Sequence, residues 1–578
     1  MPIPAAALAA LLAASSGSAA SAAQPSPARA DWRLATLEAM GQELARTMQR
    51  LRLPGYEAPY FVSYQLREVQ AFHLAGRLGA LTEDRSRRER RVAADVRVGS
   101  YDLDSSGAEE SSPFLVQDGP SWLAPREAPL DDDPMALRNT LWLVSDEKYK
   151  EALSNWFKKR GKGVYRPEGE ARTASFSRET PQRHVDPPLP FSFDRPRWQA
   201  AVRELTARLR SRPEIFDATM RVDAEKHVRW FTSSEGTALV TEEALFGVHL
   251  QALSRAPDGE LLENGRDWYG RTEAELPRPE ELRAEADKLA AELLALRAAP
   301  ALDPYIGPAI LSPEATGVLF HEAVGHRLEG DRQDDDHEGR TFKGQAGKRV
   351  LPAFLGVVDD PTLPAVAGSS LNGYYRYDDQ GIAAQRAVLV EEGRIEGFLL
   401  SRKPVAPFER SNGHARSQSG SRPVARMANL IVTSTRQVPE AELKRMLVAE
   451  ARRQGKRYGL IVRDVASGNT NTADLGYQAF KGTPRLVYRV DVDTGTEQLV
   501  RGVEVVGTPL AAVNKVMAAG DEMRVFNGYC GAESGYIPVS TVAPAMLVSE
   551  IELQRTTHTG ERGPLLPAPS AEAPSLIR

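Results

Sequence analysis

The residues best suited to chemistry sit in one hexapeptide, His321-Glu322-Ala323-Val324-Gly325-His326, and in the single cysteine far downstream, Cys530. The hexapeptide supplies two imidazoles and a carboxylate within two helical turns. Cys530 stands in Gly528-Tyr529-Cys530-Gly531, read as a glycine-flanked bend able to aim a thiolate at a metal. Two His and one Cys leave one position open on a tetrahedral zinc, the ligand count of a catalytic rather than a structural site. Glu322, beside His321, is then the candidate general base. Zinc lowers the pKa of bound water towards ~7, and the carboxylate takes and later returns its proton. Glu329, Asp331 and His337 near the helix end compete with Cys530 for the third position. A His/His/acid set suits zinc equally well.

These side chains need a helix to carry them, and local signals place its start. Ile306 to Leu311 reads as a short buried strand. Ser312 is then a good N-cap, Pro313 fits the first helical position, and Glu314 suits the positive end of the helix dipole. The spacing of the histidines matters. In His-Glu-x-x-His they are four apart and share one face; here they are five apart. At 3.6 residues per turn, five residues rotate by roughly 500°, so the rings diverge by about 140° on a regular helix. Both can face one metal only if the helix widens or ends there. A π-bulge does this, and Gly325 lowers its cost. The bland alternative is that both histidines fill a helix end while Cys530 is a buried small hydrophobe. The complete hexapeptide on a well-capped helix favours metal.

The chain of 578 residues suggests two to four domains, and its 42% hydrophobic and 26% charged residues fit a globular protein with ample core. A net charge of -5 argues against general nucleic-acid binding. One cysteine excludes an intrachain disulfide framework. Residues 1–23 resemble a signal peptide that lacks the usual basic n-region, so export is expected, with a cytoplasmic location as the alternative. No segment reads as a membrane span.

The pattern along the chain is α+β. Helices are expected over Asp31–Leu53, Pro134–Arg160, Pro196–Ser211, Pro279–Arg297 and Glu440–Gln454, from apolar spacings of three and four. Short strands are expected at Tyr60–Tyr64, Val96–Tyr101, His227–Thr232 and Phe246–Ser254, with more beyond residue 300. Val388–Leu400 reads as a hairpin turning at Glu391-Glu392-Gly393-Arg394. The charged run Glu83–Arg91 reads as a solvated turn or helix edge. Arg172–Pro190 reads as a long loop. Pro300–Pro304 marks a boundary between an N-terminal unit, 31–299, and a β-rich C-terminal unit, 300–555; the tail, 556–578, reads as disordered.

The run Gly317-Val318-Leu319-Phe320 through His321 to Glu329-Gly330-Asp331 resembles the signature of the TldD/PmbA metallopeptidases, in their TldD-like, metal-bearing branch. Asp378-Asp379-Gln380-Gly381, Arg426-Met427-Ala428-Asn429, Thr508-Pro509-Leu510, Gly528-Tyr529-Cys530-Gly531 and Ile537-Pro538-Val539-Ser540 add to it. The resemblance covers about Pro300 to Leu553. It implies zinc (Zn2+) held by His321, His326 and Cys530, with Glu322 as catalytic base. It also implies an N-terminal α/β domain with an antiparallel sheet, and a C-terminal β-rich domain carrying the metal-site helix. Small or unfolded polypeptides are the implied substrates, and a homodimer or a heterodimer with a sister subunit the implied assembly.

Other readings come from different chemistry. A zinc dipeptidyl-peptidase-like hydrolase also uses His-Glu-x-x-Gly-His, with an acidic third ligand, but its second motif is not found here. A non-catalytic binding subunit has no use for Glu322. Thiol catalysis by Cys530 with His414 as base has nothing in the sequence to position the pair. His414 reads instead as a surface or hydrogen-bonding histidine.

Overall fold

The computed structural model describes residues 31–107, 126–162, 173–334, 341–470, 480–507 and 509–556, with two isolated positions beyond them. The leader over 1–23, His337 and nearly all of the tail lie outside the described residues. Among the described residues, no helix is long and apolar enough to cross a membrane.

Period-two alternation sorts the first long strand, Pro59–Arg77, into two faces. Tyr64, Leu66 and Leu74 point into a core; Arg67 and His73 lie on the other, polar face. This strand pairs antiparallel with Ala80–Val98 on one side and Ile215–Ser233 on the other. Ala238–Arg255 and Leu261–Gly270 extend the sheet. Helices cover its apolar face. Trp32–Arg50 starts at Asp31, whose carboxylate accepts the Arg33 N–H, and it buries Met40 and Leu44. Arg195–Arg210 starts likewise at Asp194 and buries Trp198 and Leu205. Pro279–Ala298 adds Leu282, Leu289 and Leu293 to the same core as Trp198.

The expected turn at Glu83–Arg91 is instead part of the Ala80–Val98 strand. No apolar alternation marks it because cross-strand charge pairs replace apolar contacts. Arg88 and Arg90 both bind Glu68 on the neighbouring strand, and Asp84 binds Arg195 of a covering helix. The strands read as short are also long, 18 or 19 residues each, because their polar halves carry no period-two signal.

Beyond residue 300 the chain is β-rich, giving the α+β class expected from the sequence. Five strands close on themselves: Tyr305–Leu311, Tyr458–Thr470, Phe480–Asp491, Val503–Gly507 and Gly535–Arg555. Gly535–Arg555 also forms a long hairpin with Val516–Ala532 and a parallel pair with Asn429–Ser434. The short helix Pro313–Phe320 packs on this framework, with Gly317 against Thr541; a Cβ at Gly317 would stand 2.3 Å from the Thr541 hydroxyl. The hairpin expected at 388–400 turns at Glu392 and Gly393, both with positive φ.

The two halves meet at Asp379. Its carboxylate binds Arg67 at 2.9 Å and also Arg229, both from the polar face of the first sheet, and it accepts the Ser417 N–H at 2.7 Å. Arg229 Nη2 also donates to the Tyr377 carbonyl at 2.6 Å. Burial pushes the Asp379 carboxyl up, and the two guanidinium groups more than offset this, so it stays ionised. Gly381, two residues on, has φ +76°, and a Cβ there would lie 2.5 Å from the Phe231 ring. The Asp378-Asp379-Gln380-Gly381 motif therefore works at the seam between the halves.

Candidate metal centre

Ser312 caps the Pro313–Phe320 helix through its Oγ, which accepts the Ala315 N–H at 3.2 Å. The helix then widens: His321–Gly325 is a π-turn, closed by the His326 N–H donating to the His321 carbonyl. In a π-turn, residues five apart bond as those four apart do in an α-helix. The spacing that sets the rings apart on a regular helix thus brings them together here, with ring centroids 4.9 Å apart. A 3-10 turn, His326–Leu328, ends the helical run.

Gly325 is needed for a reason the sequence did not show. Its φ is ordinary, but a Cβ would stand 2.0 Å from Met427 Sδ. Gly325→Ala should cost about 1–3 kcal/mol by overpacking. The denaturant midpoint should recover in Gly325→Ala/Met427→Ala; a double variant no better than the single would show that the strain lies elsewhere.

Cys530 does not lie in a bend. It belongs to the Val516–Ala532 strand, opposite Ile537, two residues before the hairpin turns. A Cβ at Gly531 would meet the exposed Tyr536 ring at 2.6 Å. The strand delivers Cys530 Sγ to 3.1 Å from His321 Nε2 and 3.5 Å from His326 Nε2, and all three residues are buried. Among the described residues, these three form the one group whose donor atoms converge within 4.8 Å.

The donor set fits zinc. With bonds of about 2.1 Å to nitrogen and 2.3 Å to sulfur, tetrahedral zinc sets N and S about 3.5 Å apart. Glu329 accepts the His326 Nδ1–H at 3.0 Å, so Nε2, which faces Cys530, is the nitrogen placed to bind a metal. Burial pushes the Cys530 thiol up, but the two imidazoles more than offset it and hold it well below an ordinary thiol. This favours a thiolate balanced by ring protons, which a divalent cation bound here would replace.

Two of the competing ligands, Glu329 and Asp331, are engaged elsewhere, and His337 lies outside the described residues. Glu329 lies behind His326 and also accepts from Arg332 Nε at 2.7 Å. Burial pushes its carboxyl up, but His326 and Arg332 outweigh this and keep it ionised. Asp331 accepts the Ala425 N–H at 2.7 Å. His414 is wholly buried rather than at the surface, with Nδ1 on Asn412 and Nε2 3.3 Å from Asp359, so it is not the partner of Cys530. Glu322 is partly buried, and among the described residues no side chain hydrogen-bonds to its carboxylate. Its backbone carbonyl accepts from Arg327 Nη1 at 2.9 Å.

Residues 305–555 match the family model described as the PmbA/TldA metallopeptidase C-terminal domain. A protein named metalloprotease from Archaeoglobus fulgidus is 29% identical over 240 residues, covering 41% of this chain and 51% of that one. A zinc metalloprotease TldD homolog from Saccharolobus solfataricus is 24% identical over 248 residues, covering 43% and 51%. The chain thus spans about half the length of these two relatives. The fold is similar to that of TldE from Thermococcus kodakarensis, with a TM-score of 0.56, 12% identity, and coverage of 89% of this chain and 100% of that one.

Proposed function

We propose, from the premise that this chain belongs to the TldD/PmbA metallopeptidase family, that it is a zinc-dependent peptidase acting on unfolded or small polypeptides. The observation that carries the reading is the convergence of His321, His326 and Cys530, with Glu322 next to His321 in sequence and its carboxylate free of side-chain hydrogen bonds among the described residues. Three protein donors leave a fourth position open. Zinc held there supplies a Lewis acid and a water acidic enough to attack at neutral pH. With zinc bound, Glu322 would be the residue to take a proton from that water and return it to the leaving amine. Glu329 keeps the His326 ring turned to its donor position throughout.

An extended substrate has a place to lie. From Met523 to Ala532 the Cys530 strand pairs with Gly535–Arg555 on one side, and among the described residues no strand pairs with its other edge there. A peptide added along that edge is held by main-chain hydrogen bonds, which favours unfolded chains over folded ones. The likeness in fold to TldE supports pairing with a sister subunit, with a homodimer as the alternative. The test is hydrolysis of an unfolded polypeptide by the purified chain, alone and with its sister. Activity should vanish with a chelator and return with zinc. Hydrolysis that survives complete zinc removal would sink the reading.

A further inference from the structure

Arg426 stands in the Arg426-Met427-Ala428-Asn429 segment, which holds none of the donors, yet its side chain is fully buried. One guanidinium reaches both donor-bearing segments. Nη2 donates to the Cys530 carbonyl at 2.9 Å. Nη1 donates to Ser534 Oγ at 2.7 Å and to the Gly535 carbonyl at 3.2 Å, so the hairpin end is gripped on both sides of its turn. On the opposite side, Nε faces Glu329 Oε1 at 3.5 Å. The other oxygen of Glu329 accepts the His326 Nδ1–H. The neighbouring Met427 fills the space over Gly325.

A buried guanidinium is costly unless it is fully paired. Here its two Nη atoms are hydrogen-bonded to the Cys530 hairpin, while Nε, which has no hydrogen-bond partner among the described residues, stands at ion-pair distance from Glu329, about 200 residues from that hairpin in sequence, an arrangement that a lysine ammonium cannot reproduce. We propose that Arg426 is a positioning residue of the metal centre: its single guanidinium sets the Cys530 strand against the His326 ring so that both donors meet one cation. This rests on the zinc reading above. Without Arg426, the Cys530 carbonyl and Glu329 Oε1 lose their shared brace, and zinc affinity should fall ten- to a hundred-fold, the usual range for partners that orient ligands.

The test uses the full chain loaded with zinc or cobalt(II). Zinc affinity is measured by chelator competition, and the cobalt form by its thiolate charge-transfer band. Arg426→Ala should lose affinity ten- to a hundred-fold and shift that band. Millimolar guanidinium chloride should restore both, and equal sodium chloride should not. Wild-type affinity and an unshifted band in Arg426→Ala would overturn the proposal, as would a loss that guanidinium fails to restore. Should Arg426→Ala not fold, Arg426→Lys, which keeps the charge and loses the fork, decides: a tenfold loss supports the brace, and wild-type affinity overturns it. Wild type that takes up neither metal overturns the zinc reading itself, and the proposal with it.

Discussion

Glu322→Gln should retain one zinc per chain and lose turnover by about 10²–10⁴-fold, the contribution of a positioned general base. The variant separates binding from chemistry because Glu322 is not among the converging donors. Its carboxylate is partly buried and free of side-chain hydrogen bonds among the described residues, so an amide of the same shape disturbs no observed contact. The expected split is an unchanged zinc affinity with a fall in kcat. A fully active Glu322→Gln protein would require another base, and among the described residues the nearby acids are engaged: Glu329 by His326 and Arg332, Glu533 by Arg332, and Asp331 by the Ala425 N–H.

Asp379→Ala should destabilise the chain by about 3–5 kcal/mol, the cost of breaking a buried ion pair by removing one partner. The carboxylate is buried and serves two guanidinium groups at once, Arg67 and Arg229, which the substitution leaves facing each other without the carboxylate that binds both. Removing an exposed pair gives the control. Asp287→Ala, which loses the Arg208 pair at the surface, should cost at most about 1 kcal/mol. Urea midpoints of the two variants make the comparison. An Asp379→Ala protein no weaker than Asp287→Ala would contradict the assignment of this motif to the seam.

The parts of the site that were legible in the sequence are those written locally. Ser312-Pro313 marks the helix start by capping chemistry, and a five-residue histidine spacing demands a widened turn; both features are present. The context of Cys530 was misread because glycine signals a bend only when its φ requires one. Gly531 lies instead against the Tyr536 ring across the hairpin, a contact invisible until the strands pair. Gly325 was read as conformational licence and serves to admit Met427. Arg426 and Asp379 belong to motifs that the sequence flagged without a role. The Cys530 carbonyl that Arg426 binds and the two guanidinium partners of Asp379 lie about a hundred residues or more away, so only the fold could supply a role. The charged strand at Glu83–Arg91 fails the period-two test because ion pairs, not apolar contacts, hold it.

Metal content per chain, measured by mass spectrometry on wild type beside Cys530→Ala, tests the central claim most directly. The three-donor account expects about one zinc in wild type and little in Cys530→Ala, since two imidazoles alone bind zinc weakly. Equal zinc in both proteins would contradict it and move the third ligand to an acid.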